Sequence, residues 1–131
     1  MSGWKEETSA MLDDARGRIE SAIGTISGEP TKAQLHSVWR AYVSLELSVA
    51  YIKLEIDEEN PGRFIRARSY RVPDERQSLQ FALKYLVKGA ESYRVGDYGQ
   101  ALKELRESRN YLRVLLKDAR ARERRSRPKA G

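Results

Sequence analysis

Cysteine is absent from this sequence, and histidine occurs once, at position 36. The first absence excludes disulfides, zinc–thiolate and iron–sulfur sites and thiol nucleophiles. It also fits a reducing compartment, so a cytoplasmic location is expected. The lone His36 has no partner in a Glu-x-x-His or His-x-x-x-His pair, so no metal centre and no cofactor are expected. Phosphate-loop and dinucleotide fingerprints are missing. No apolar run approaches the ~18 residues that a membrane-crossing helix needs. The start, MSGWKEETSAMLDDARGR, has no apolar core, so no secretory signal is expected. Catalysis needs a tuned acid–base group, an activated nucleophile or a metal. None is legible, and the expectation is a protein that is not an enzyme.

What is present is charge and periodic hydrophobicity. Charged residues make up 34% of the 131 residues and hydrophobic residues 40%. That is too apolar and too well patterned for a disordered chain. The charged fraction exceeds the usual quarter and gives a thermophile-like surface. The net charge of +6 is uneven. Residues 60–76 hold five arginines against Asp74 and Glu75, a net +3. Residues 117–131 hold seven Lys or Arg against Asp118 and Glu123, a net +5. The remaining 99 residues therefore sum to 6 − 3 − 5 = −2. Such localisation points to an anionic partner.

The apolar spacing predicts four helices. Over 4–26, Trp4, Met11, Ala15, Ile19, Ala22 and Ile26 share a face, and Ser27-Gly28-Glu29-Pro30 stops the helix. Over 32–58, Leu35, Val38, Tyr42, Leu45, Val49, Ile52 and Ile56 run in steps of three and four. Thr31 and Gln34 offer a capping box at its start. A second row, Trp39, Val43, Leu47, Ala50 and Leu54, widens that face, so this helix should touch two or more partners. Over 75–95 the row is Leu79, Ala82, Leu86, Ala90 and Tyr93, preceded by Pro73 and Asp74. Gly96 supplies a left-handed stop and Asp97 a cap for the last helix. That helix carries Tyr98, Ala101, Leu105, Ser108, Leu112, Leu115 and Ala119, and its pattern dissolves after Ala121.

The expected fold is all-α: a four-helix up-and-down antiparallel bundle with a long basic loop between helices 2 and 3. Residues 1–121 form the single bundle domain and 122–131 a basic flexible tail. Tyr85, Gly89, Tyr93, Gly96-Asp97-Tyr98, Ala101 and Leu105 follow the order aromatic, small, aromatic, turn, alanine. Residues 85–108 thus resemble a single tetratricopeptide-repeat hairpin, with Lys88 and Ser108 departing from the usual apolar and small residues. With GDYGQA at its turn, the stretch is also similar to the hairpin of HEPN-type helical proteins. Active members of that family use an arginine followed several residues later by a histidine. Here Arg40 follows His36, so the resemblance implies the fold and not that chemistry.

RFIRARSYR, residues 63–71, has two readings. Phe64 and Ile65 anchor a crossover while Arg63, Arg66 and Arg68 pair with Asp57, Glu58 and Glu59 at the end of helix 2. Alternatively, Arg63, Arg66, Arg68 and Arg71 contact phosphates and Tyr70 stacks on a base. Arg120, Arg122, Arg124, Arg125, Arg127 and Lys129 add a second basic segment. In up-and-down order, loop and tail share one basic pole. The leading expectation is a non-enzymatic interaction module, a subunit or adaptor of a larger assembly with a protein partner. The alternative is RNA or DNA binding through the basic pole. A homodimer is a further option, because wide-faced helices leave a seam uncovered. Trp4, Trp39 and Tyr51 are the residues to watch for exposure.

Overall fold

The computed structural model describes residues 3–56 and 74–126. They form α1 (Gly3–Thr25), α2 (Lys32–Glu55), α3 (Glu75–Arg94) and α4 (Tyr98–Ser126). The all-α four-helix architecture read from the spacing is therefore present. Each boundary has a local cause. Thr31 caps α2 through the reciprocal box with Gln34. The Asp74 carboxylate accepts from Gln77 N at 2.7 Å and starts α3. At the end of α3, Gly96 takes φ +87°, Gly96 N bonds Tyr93 O and Asp97 N bonds Ser92 O. That is the Schellman arrangement, which satisfies carbonyls the helix leaves unpaired.

One continuous core fills the bundle. It takes Leu12, Ala15, Ile19, Ala22 and Ile26 from the α1 end of the chain and Val38, Ala41, Leu45, Val49 and Ile52 from α2. α3 adds Leu79, Ala82, Leu86 and Tyr93, and α4 adds Ala101, Leu102, Leu105, Leu112 and Leu115. α3 and α4 pack tightly at Gly89, which has no side chain. A Cβ there would lie 2.6 Å from Leu105 Cδ2. Two serines reinforce this contact, with Ser108 Oγ donating to Ala82 O at 2.5 Å and Ser78 Oγ to Tyr111 O at 3.0 Å.

α1 packs on α2 and α3, and α4 packs on α3 and α2. The diagonals are therefore α1 with α4 and α2 with α3. Three cross-helix contacts fix the directions. Arg76 Nη2, in the first turn of α3, donates to Ile26 O just past the end of α1 at 2.6 Å. Tyr93 Oη, near the end of α3, donates to Glu55 Oε2 at the end of α2 at 3.0 Å. Arg122, late in α4, pairs with Glu75 at the start of α3. We call upper the pole that holds the α1–α2 connection, and lower the pole that holds the α3–α4 connection. α1 runs up, α2 down, α3 down and α4 up.

This corrects the strict up-and-down order. All helices in contact are antiparallel, as expected, but α2 and α3 run in the same direction on a diagonal. α2 ends at the lower pole and α3 begins at the upper. The 17 residues 57–73 that join them reach about 56 Å when extended, against about 36 Å for the 24-residue α2. A connection that long frees successive helices from alternating. Short connections, 26–31 and 95–97, leave no such freedom. The shared basic pole was argued from that order and loses that argument; residues 63–71 and 127–131 lie outside the described residues. α4 also runs on through Arg122–Arg125, where a tail had been expected. Arginine, glutamate and alanine are good helix formers, and extending an existing helix is easy.

Candidate interaction face on the second helix

α2 contacts its neighbours along two flanks. Ser44 Oγ donates to Asp14 Oδ2 of α1 at 3.0 Å. On the other flank Arg109 Nε of α4 stands 3.0 Å from Glu46 Oε1. That pair lacks the alignment of a hydrogen bond, so charge alone balances the buried oxygen. Residues advance ~100° around a helix at each step. Val43, Leu47 and Leu54 therefore fall between the two flanks and point away from both neighbours.

These positions are apolar. Trp39 is 50% exposed, Leu47 46% and Leu54 64%. Ala50 is exposed and Val43 half-buried. The stripe from Trp39 to Leu54 is about 22 Å long at 1.5 Å per residue. Arg40 and His36 are the exposed polar groups beside it. Trp39 is held in place by stacking on Tyr42, with ring centroids 5.7 Å apart and planes at 24°. The seam Val38, Leu45, Val49 and Ile52 already satisfies α1 and α4. The second apolar row on the same helix is thus surplus to the core.

A smaller aromatic group lies along the outer seam of α3 and α4. Phe81 stacks on Tyr111 at 5.2 Å and Tyr85 on Tyr111 at 5.9 Å. Lys84 and Lys88 each sit 5.8 Å from the Tyr85 ring centre. The rings use one another's faces, and burial raises the Tyr111 hydroxyl above its usual range, helped by Tyr85 and Glu107.

The expected basic site is only partly within view. Arg63, Arg66, Arg68, Tyr70, Arg71, Arg127 and Lys129 lie outside the described residues, as do Asp57, Glu58 and Glu59. Arg120, Arg124 and Arg125 are exposed near the end of α4. Arg122 is engaged by Glu75, with Glu29 and Asp118 adding to the negative field around it. Acid and base are thus mixed at the upper pole. His36 is exposed on α2. Among the described residues, no group of three or more His, Asp or Glu side chains is placed to hold a metal ion. No described helix is long and apolar enough to cross a membrane.

The lower pole holds a buried polar cluster. Burial pushes the Tyr93 hydroxyl up to about 12, the Thr8 hydroxyl offsets part of the shift, and the Glu55 carboxylate adds to it. A tyrosine shifted in that direction holds its proton and ties α3 to α2. Sequence reasoning marked the stripe's residues but assigned them to the widened packing face. The signal that separates them was available: the stripe lies about two fifths of a turn off the seam that two neighbouring helices fill. The chain matches no protein-family model, no curated protein and no solved structure.

Proposed function

We infer that this chain is a non-enzymatic interaction module of the cytoplasm, a subunit or adaptor that docks through the outward face of α2. The supporting observation is the Trp39–Leu54 stripe, which the core does not use. Burying a Leu or Trp fully is worth roughly 1.5–3 kcal/mol. A stripe left in water therefore withholds stabilisation that a partner can collect. The test is affinity purification with wild type, with a Trp39→Ala/Leu54→Glu variant and with Lys103→Ala on the outward face of α4. A protein retained by wild type and the α4 control but lost from the α2 variant supports the reading. Identical sets from all three overturn it.

A second reading is binding of RNA or DNA through its phosphates, favoured by the exposure of Arg120, Arg124 and Arg125 together on the last turns of α4. Its test is binding of a labelled single strand and a duplex across a salt series, with a chain ending at Ala119 for comparison. Each phosphate contact on a duplex contributes about −0.9 to the slope of log affinity against log salt. Loss of slope in the shortened chain supports it, and no binding at low salt retires it.

A further inference from the structure

We propose that the occupant of the α2 face is a second copy of this chain, with the two α2 helices antiparallel about a two-fold axis at Leu47. This names the partner of the docking face inferred above and rests on that reading. The first support is the stripe's own spacing. Trp39, Val43, Leu47, Ala50 and Leu54 are disposed almost evenly about Leu47. Turned end for end, the row meets itself. Leu47 faces Leu47 of the second copy, Val43 faces its Ala50, and Trp39 faces its Leu54. Each opposed couple sets a larger residue against a smaller one, or like against like at the axis. An isologous interface requires this self-complementarity.

The second support is charge. A two-fold axis perpendicular to the helices keeps each flank opposite the same flank of the other copy. Trp39 and Lys53 lie on the flank toward α4. Antiparallel pairing brings Lys53 to within about 3 Å of the height of the second copy's Trp39, a gap its long side chain spans, so that an ammonium meets an indole face. Arg40 lies on the flank toward α1 and comes to the height of the second copy's Leu54, where no like charge opposes it. Parallel pairing would instead leave Lys53 and the second copy's Trp39 about 21 Å apart along the helices and lose the ammonium–indole contact.

Size bears on strength. A stripe about 22 Å by 10 Å is well below the ~800 Å² per partner of a strong complex. The dimer is accordingly weak and transient, and a series from about 1 µM to about 1 mM brackets it. It forms when the protein is concentrated and separates when it is dilute.

The test uses light scattering or sedimentation over a concentration series spanning that range. Wild type is expected to pass from monomer to dimer. Leu47→Glu, which places two carboxylates at the axis, is expected to stay monomeric with unchanged helix content. Because the chain has no cysteine, single Cys variants report the register. Leu47→Cys should link into a disulfide dimer under mild oxidation. Leu54→Cys should not, since the two sites lie about 22 Å apart against a Cα limit of about 7 Å. A wild type that is monomeric throughout overturns the proposal, as does Leu54→Cys linking as readily as Leu47→Cys. Slow thiol labelling of Leu47→Cys in dilute monomer also overturns it, because the face is then covered within one chain. If wild type is monomeric but the Trp39→Ala/Leu54→Glu variant loses a different bound protein, this inference falls and the docking reading stands. If neither self-association nor partner capture responds, both fall.

Discussion

α2 and α4 are neighbours, run antiparallel and bury aliphatic faces in the same core, but their outward faces differ in kind. α4 carries 13 charged residues in 29, with Lys103, Arg113, Lys117, Asp118 and Arg120 exposed. α2 carries five in 24: Lys32, Arg40, Glu46, Lys53 and Glu55. Of these Glu46 is engaged by α4 and Glu55 by Tyr93. A helix that only supports a core needs one apolar stripe and a wetted back, which describes α4. α2 has an apolar back as well. The contrast shows that apolarity beyond what a helix's neighbours can cover is the informative quantity, more than total hydrophobicity.

The sharpest way to break the comparison is to shorten one leucine on each face of α2. Leu45 is fully buried, so Leu45→Ala should cost about 2–5 kcal/mol. Leu54 is 64% exposed, and in dilute protein Leu54→Ala should stay within about 0.5 kcal/mol of wild type. Urea denaturation at low concentration measures both. Similar costs for the two would mean that the outward stripe is packed within the monomer.

Glycine offers a second contrast, between α3 and α1. A Cβ at Gly89 meets Leu105 Cδ2 at 2.6 Å and Cγ at 2.7 Å, and Leu105 is fully buried with nowhere to retreat. Gly89→Ala should cost about 1–2 kcal/mol after its gain in helix propensity. At Gly17 a Cβ meets nothing within 4 Å, so Gly17→Ala should stabilise by about 0.5–1 kcal/mol. Thermal melts of the two variants should move in opposite directions.

A smaller effect comes from pH at the lower pole. Tyr93 ionises near 10 when unfolded and at about 12 when folded. A raised acid of this kind stabilises fully below pH 10, and the contribution is lost as pH rises from 10 through 12. At pH 11 the loss is about 1 kcal/mol, at 1.36 kcal/mol per unit. The deprotonated oxygen would also face the Glu55 carboxylate. Comparing wild type with Tyr93→Phe between pH 9 and 11.5 isolates this term from lysine titration. A constant difference across that range would show that Tyr93 is not buried as described.

Much of this fold was legible. The α2 seam, the Thr31 box, the Asp74 cap and the Gly96 stop all rest on local rules of spacing and hydrogen bonding, which a sequence displays. The direction of α3 was not legible, because antiparallel neighbours look alike in either topology and no side-chain pattern names a pole. The unequal connections were the clue: 57–73 is long enough to span the bundle, and 95–97 is not. The α2 face was half legible. Trp39, Val43, Leu47, Ala50 and Leu54 were visible as a row, but exposure depends on which flanks Asp14 and Arg109 occupy, and that is tertiary information. The reach of α4 past Ala121 was missed because an apolar pattern ends where helix propensity does not.

That last extension supplies the weakest and most specific test of the two helices' roles. Arg122 joins the end of α4 to Glu75 in the first turn of α3, with side chains 45% and 18% exposed. Glu75 also faces the positive end of the α3 dipole, so it is favoured there without any partner. Exposed pairs of this kind contribute about 0.2–1 kcal/mol and weaken with salt. Arg122→Ala should therefore lower stability by less than about 1 kcal/mol at low ionic strength and by nearly nothing at 1 M salt. Its clearer signature is local. Amide exchange should quicken over 119–126 while the α3–α4 contact around Gly89 and Leu105 keeps its protection. If exchange at the α4 end is unchanged, helix propensity alone holds those turns. The arginines there would then be as available to an anionic partner as the stripe on α2 is to an apolar one.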